Sequence, residues 1–183
     1  MANYVSQVLT PELSSTHITK VSVPSGGLKP GQVVLAHTLQ SGIAGNYEVF
    51  AATQPATATL NDDNMAIVIN GGIETLSDGR RPAGQPDYYQ YTFAQGDIAD
   101  VVYLDKHLKF NISISAITVP VGVTPAAGMF LYATNGSNNL TINAAADVPE
   151  GTTKYLKVLA LYNTPVGGLF GGQFEPTMVC MVV

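Results

Sequence analysis

The run Leu108-Lys109-Phe110-Asn111-Ile112-Ser113-Ile114-Ser115-Ala116 alternates apolar and polar side chains without a break. A strand with that period places Leu108, Phe110, Ile112, Ile114 and Ala116 on one face, whereas a helix would scatter them around its circumference. One face then needs a core; the other faces water or a partner. The run lies within Tyr88–Val119, where about three extended segments are separated by Gln95-Gly96-Asp97 and Asp105-Lys106-His107. Such breaks between extended runs are turn sequences.

The same logic extends along the chain. Gln32–Thr38 and Tyr47–Ala52 flank the turn sequence Ser41–Asn46 and predict a hairpin. Met65–Ile69 is continuously apolar and ends at Asn70-Gly71-Gly72, which predicts a fully buried strand. Gly128–Thr134 and Leu140–Asn143 flank Asn135-Gly136, a strong hairpin signal because both residues tolerate positive φ. Ala144–Gly151 has room for one helical turn, Thr152–Tyr162 predicts a long strand, and Pro176–Val183 predicts the last. The expected class is all-β: a compact sandwich or barrel-like body with little helix.

Three parts are expected. Residues 1–24 predict an extended N-terminal arm, in which Tyr4, Val5, Val8 and Leu9 offer a few apolar contacts and Ser and Thr dominate the remainder. Too few apolar groups lie there to fold alone, so the arm would fray or lie along another surface; the alternative for its second half is a first strand at Ile18–Val23. Residues 25–118 predict a first β lobe and 119–183 a second, packed with it as one domain, with Pro120, Gly122 and Pro125 marking the boundary. A weak echo links Gly27–Leu35 with Gly122–Leu131, and more loosely with Gly96–Val102, which is expected from similar hairpin parts or from duplication.

Charged residues make up 11% of the 183, against roughly 25% in an ordinary globular chain. A surface so poor in charge repels neighbours weakly and is expected to be partly covered by another protein. The formal net charge is −5, and only Arg80-Arg81 pairs basic residues, so neither nucleic acid nor an anionic membrane is an expected partner. The N-terminus lacks the basic-then-apolar pattern of a secretory signal, and synthesis in a cytoplasm is expected. Cys180 is the only cysteine and is expected to act as a small apolar strand residue.

Residues that could carry chemistry are scattered. His17, His37 and His107 fall in an arm, a strand and a turn, without metal-ligand spacing. Asp97, Asp100 and Asp105 lie near turns and are expected to cap backbone amides, and Asn61-Asp62-Asp63-Asn64 predicts a turn better than a cation loop. No catalytic, cofactor or metal residue is assigned. The turn-rich residues 71–87 hold the paired Arg80 and Arg81 between Asp78 and Asp87, and are expected to be either a solvated loop tied by local ion pairs or a contact to an acidic groove on a neighbour.

The Ser/Thr-rich start, the run Gly27-Leu28-Lys29-Pro30-Gly31-Gln32-Val33-Val34-Leu35 and the run Gln95-Gly96-Asp97-Ile98-Ala99-Asp100-Val101-Val102 together resemble the head decoration, or cement, proteins of tailed bacteriophages. The resemblance spans about the first two thirds of the chain. It implies a non-enzymatic virion protein, made in the bacterial cytoplasm, that binds the major capsid protein on the outside of the mature head and works as a homo-oligomer, a trimer above all. Tyr4, Val5, Val8, Leu9, Arg80, Arg81, Leu169, Phe170 and Phe174 would then form capsid or subunit contacts. Two competitors remain: a receptor- or carbohydrate-binding β module of a phage fibre or tail, using the tyrosines and the Arg80-Arg81 loop, and a small β-barrel enzyme.

Overall fold

A computed structural model describes residues 4–10, 17–40, 49–57, 60–70, 91–166 and 174–183. Arg80, Arg81, Leu169 and Phe170 lie outside the described residues, as does the expected 71–87 loop. Eleven strands form two sheets. Strands β1 (Ser6–Val8), β7 (Lys109–Ser113), β11 (Phe174–Val182), β10 (Leu156–Pro165), β8 (Phe130–Thr134) and β9 (Ser137–Asn143) make a six-stranded sheet in that order. Strands β2 (Ile18–Ser22), β4 (Val49–Thr53), β3 (Val33–Leu39), β5 (Met65–Val68) and β6 (Ile98–Tyr103) close into a barrel. The all-β expectation therefore holds; among the described residues, single 3-10 turns stand at Ile114–Ala116 and Ala145–Asp147.

Two cores explain why several strands are apolar on both faces. Val21, Val34, Ala36, Ala52, Ala66, Val68, Ala99 and Val101 fill one cluster, which also takes in Leu28 and Phe93. These residues alternate along the barrel strands, so this cluster is the barrel interior, and alanine suits the narrow bore of a five-stranded closure. The intervening residues Val33, Leu35, Met65, Ile67 and Val102 belong to the second cluster, with Phe110, Ile112, Leu131, Leu140, Ile142, Leu156, Val158, Met178, Cys180 and Val182 of the other sheet. Strands β3, β5 and β6 thus serve both cores, which is why Met65-Ala66-Ile67-Val68 carries no polar residue.

Four expectations need correction. First, the N-terminal segment lies on its own chain: β1 pairs antiparallel with β7, while the alternative for the second half, a strand at Ile18–Val23, is what forms, as β2 between β4 and β6 in the barrel. Buried Asn70 latches β1, its Oδ1 accepting from the Ser6 amide at 2.6 Å and its Nδ2 donating to the Tyr4 carbonyl at 2.9 Å. Second, the chain crosses between sheets from Tyr103 to Lys109 rather than near Thr118, because Val102 and Leu104 already face the shared core. Third, β7 stops at Ser113, where the backbone tightens into a 3-10 turn through Ile117 N donating to the Ile114 carbonyl at 3.3 Å. Fourth, the polar face of β7 is covered: Ser113 bonds the backbone of Val5, and the Asn111 amide donates to Thr164 Oγ1 at 3.0 Å.

The echo resolves into a local device. In three turns a glycine with positive φ stands two residues ahead of a strand: Gly31 (φ 92°) before β3, Gly96 (φ 86°) before β6 and Gly128 (φ 88°) before β8. These turns close through Gln32 N to Lys29 O (3.1 Å), Asp97 N to Ala94 O (3.1 Å) and Met129 N to Ala126 O (3.3 Å). Only Gly31 is also crowded, since a Cβ there would sit 2.8 Å from Ala116 Cβ and 3.2 Å from Ile112 Cγ2, whereas one at Gly128 would meet nothing. Gly128→Ala should cost about 1 to 2 kcal/mol through φ alone, and Gly31→Ala about 1 to 3 kcal/mol more through the clash. Urea unfolding of the two variants checks this; equal losses would contradict the close approach.

Candidate interaction surface

The proposed contact residues at the N-terminus mostly serve the body. Val5 is fully buried, Val8 packs against the shared core, and Tyr4 is half-buried with Lys29 Nζ 5.1 Å from its ring centroid. Only Leu9 faces solvent. Val5 therefore cannot be a partner contact while β1 stays paired.

Phe174 has a different setting. Strands β10 and β11 pair along Leu156–Pro165 and Phe174–Val182, whereas β8 reaches only Leu156 and Lys157 of β10. Among the described residues no strand pairs with the other edge of β10 from Leu159 to Pro165. The hairpin thus continues past the sheet. Paired residues share a face in an antiparallel ladder, so Leu161 opposite Met178, Asn163 opposite Pro176, and Pro165 opposite Phe174 all continue the face that buries Met178, Cys180 and Val182. Beyond the core that face is mostly apolar, interrupted by Asn163, and becomes accessible: Leu161 is 44% exposed and Phe174 62%.

The opposite face is held by hydroxyls. Thr164 Oγ1 and Thr177 Oγ1 lie 2.8 Å apart, and Thr164 also receives the Asn111 amide, which ties the projecting strand to β7. Tyr162 shares this face and is 59% exposed. A register shift between Val158 and Ala160 leaves exposed Leu159 as the extra residue of a bulge. From Leu159 to Pro165 there is no charged side chain to discourage another strand or an apolar partner. Leu159, Leu161 and Tyr162 were not singled out from sequence. Their signal is a five-residue nonpolar run, Val158–Tyr162, that breaks the alternation begun at Leu156-Lys157-Val158.

The titratable groups have local employment. Asp62 Oδ1 accepts from the amide and side chain of Asn64 at 2.8 and 3.0 Å, Asp63 pairs with Lys154 at 3.1 Å, and Asp97 Oδ2 accepts from Ala94 N at 2.8 Å. Asp100 pairs with Lys20 at 2.9 Å and Asp105 with His17 at 3.4 Å. Among the described residues, no three His, Cys, Asp or Glu side chains converge to hold a metal ion. Burial pushes the Cys180 thiol up to about 12, so it stays protonated and packs as an apolar group. No helix among the described residues is long and apolar enough to cross a membrane.

No protein-family model, curated protein or solved structure matches this chain. The hairpin is the surface that geometry alone singles out. Replacing both Leu161 and Phe174 with Glu should shift stability by no more than about 0.5 kcal/mol, as expected of surface sites. Thermal and urea unfolding of that double variant are the check; a loss above about 2 kcal/mol would mean that this face packs as core.

Proposed function

We propose that this chain is a structural virion protein that binds the outer surface of a tailed-phage capsid and braces the mature head. The observation that supports this reading best is the β10–β11 hairpin, whose edge carries no charged side chain from Leu159 to Pro165, with Leu161 and Phe174 on one face and Tyr162 on the other. An edge strand of this kind adds to a partner's sheet through backbone hydrogen bonds while its side chains enter pockets. The arm was the expected anchor, but the latch at Asn70 commits β1 to the body and moves that role to the hairpin.

The mechanism is linkage. A protein that binds the expanded lattice and not its precursor stabilises the expanded form by RT ln(1 + [L]/Kd), about 2.7 kcal/mol per site at a hundredfold excess over Kd. Three copies around a three-fold position would hold the shell more firmly than one, because each contact raises the effective concentration of the next. In this role the protein works by binding rather than by turnover, and its low surface charge limits repulsion between copies.

The test is cosedimentation with empty heads of the virus whose genome carries the gene, prepared without this protein and used before and after expansion. Saturable binding to expanded heads is expected, with at least tenfold weaker binding by the Leu161→Glu, Phe174→Glu variant. Absence of binding to expanded heads, or a gene lying outside any phage genome, would overturn the proposal.

A further inference from the structure

Where the tip of the β8–β9 hairpin meets the barrel, the two sheets enclose an open cleft of about 620 Å³. Its walls come from the Pro24–Gly27 turn, Gln32, the end of β4 at Ala52–Gln54, and Gly136–Asn139. None of these residues carries a charge, and none is aromatic. Among the described residues, a charged ligand would find no counter-ion there, and a flat apolar one no surface to stack on.

The walls offer amides whose orientation is set by their neighbours. Gln32 is committed at both ends: its Oε1 accepts from the Lys29 amide at 2.8 Å and its Nε2 donates to Asn139 Oδ1 at 2.7 Å. That bond turns the Asn139 amino group the other way, with no bond to an acceptor among the described residues. Asn138 donates to the Val33 carbonyl at 2.8 Å and accepts from Gln54 Nε2 at 3.3 Å, leaving Gln54 Oε1 as an acceptor at the rim. The cleft lining thus includes one neutral donor, Asn139 Nδ2, and one neutral acceptor, Gln54 Oε1. Vicinal hydroxyls, each of which both donates and accepts, match such a pair.

Gly26 supplies a second, independent observation. It lacks the positive φ that would require glycine, and a Cβ built there meets no atom within 4 Å. It is exposed in the turn that Gly27 N closes on the Pro24 carbonyl at 2.9 Å. The space it leaves opens onto the cleft that it lines.

We propose that this cleft binds a neutral, hydroxyl-rich ligand, an uncharged oligosaccharide segment, with Asn139 and Gln54 as the specificity-determining amides and Gly26 as the clearance for a sugar ring. This site is separate from the β10–β11 hairpin and does not depend on what the hairpin holds. It also differs from the tyrosines and the Arg80-Arg81 loop that sequence associates with a carbohydrate-binding role.

The test is a titration of the ¹⁵N-labelled full chain followed by NMR, with maltohexaose, cellohexaose and N-acetylated chitohexaose as neutral probes and hexagalacturonate as the charged control, each to about 10 mM. At least one neutral probe should shift the side-chain amides of Gln54, Asn138 and Asn139 and the backbone amides of Gly26 and Gly136. Gly26→Leu, whose Cβ meets no protein atom within 4 Å, and Asn139→Ala should each weaken that binding at least tenfold, with unfolding midpoints verifying that both variants fold. Absence of shifts with every neutral probe, equal response to hexagalacturonate, or unchanged binding by Gly26→Leu would each overturn the proposal.

Discussion

The structure depends on three strands being buried on both faces. β3, β5 and β6 send Val34, Ala36, Ala66, Val68 and Val101 into the barrel, and Val33, Leu35, Met65, Ile67 and Val102 into the space beneath the six-stranded sheet. Neither layer can bury its apolar surface alone. Removing the sheet would expose the outer face of the barrel, and removing the barrel would expose Phe110, Ile112, Leu131, Leu140 and Met178. At roughly 1.5 to 3 kcal/mol for each large side chain, such exposure exceeds the net stability of an ordinary domain.

Polar groups set the register of that junction. Asn138 reaches across to the Val33 carbonyl, Gln32 meets Asn139, and Asn61 accepts from the amides of Thr153 and Lys154 at 2.7 and 2.9 Å while donating to the Gly151 carbonyl at 2.7 Å. Each bond joins segments about ninety residues or more apart. With the layers pinned in this way, the described residues present two surfaces suited to partners: a mostly apolar hairpin that outruns its sheet, and an amide-lined cleft where the sheets meet. A protein whose role is to hold onto something needs a stiff body behind such surfaces, so that binding costs little ordering.

Much of the fold was legible because it is local. The alternation in Leu108–Ala116 marked a strand and its core face, the unbroken run Met65–Val68 marked burial on both sides, and Asn135-Gly136 marked the β8–β9 turn. The remainder depends on distant partners. Nothing in the Ser/Thr-rich start reveals that Asn70, more than sixty residues away, will latch it, so its composition resembles that of a free arm. The prolines after Thr118 mark a boundary in the sequence, yet the crossing between sheets falls at Asp105-Lys106-His107, where only the membership of Val102 and Leu104 in a shared core reveals it. Of the candidate site, Phe174 was visible in sequence. Leu161 was not, because a strand residue becomes a surface residue only when its neighbouring strand ends early, as β8 does.

Differential scanning calorimetry of the intact chain tests the interlocking of the two layers most directly. If β3, β5 and β6 weld the barrel to the sheet, unfolding will be a single transition whose calorimetric and van't Hoff enthalpies agree. Two resolved transitions, with barrel amides losing hydrogen-exchange protection at a temperature where sheet amides retain it, would contradict the account.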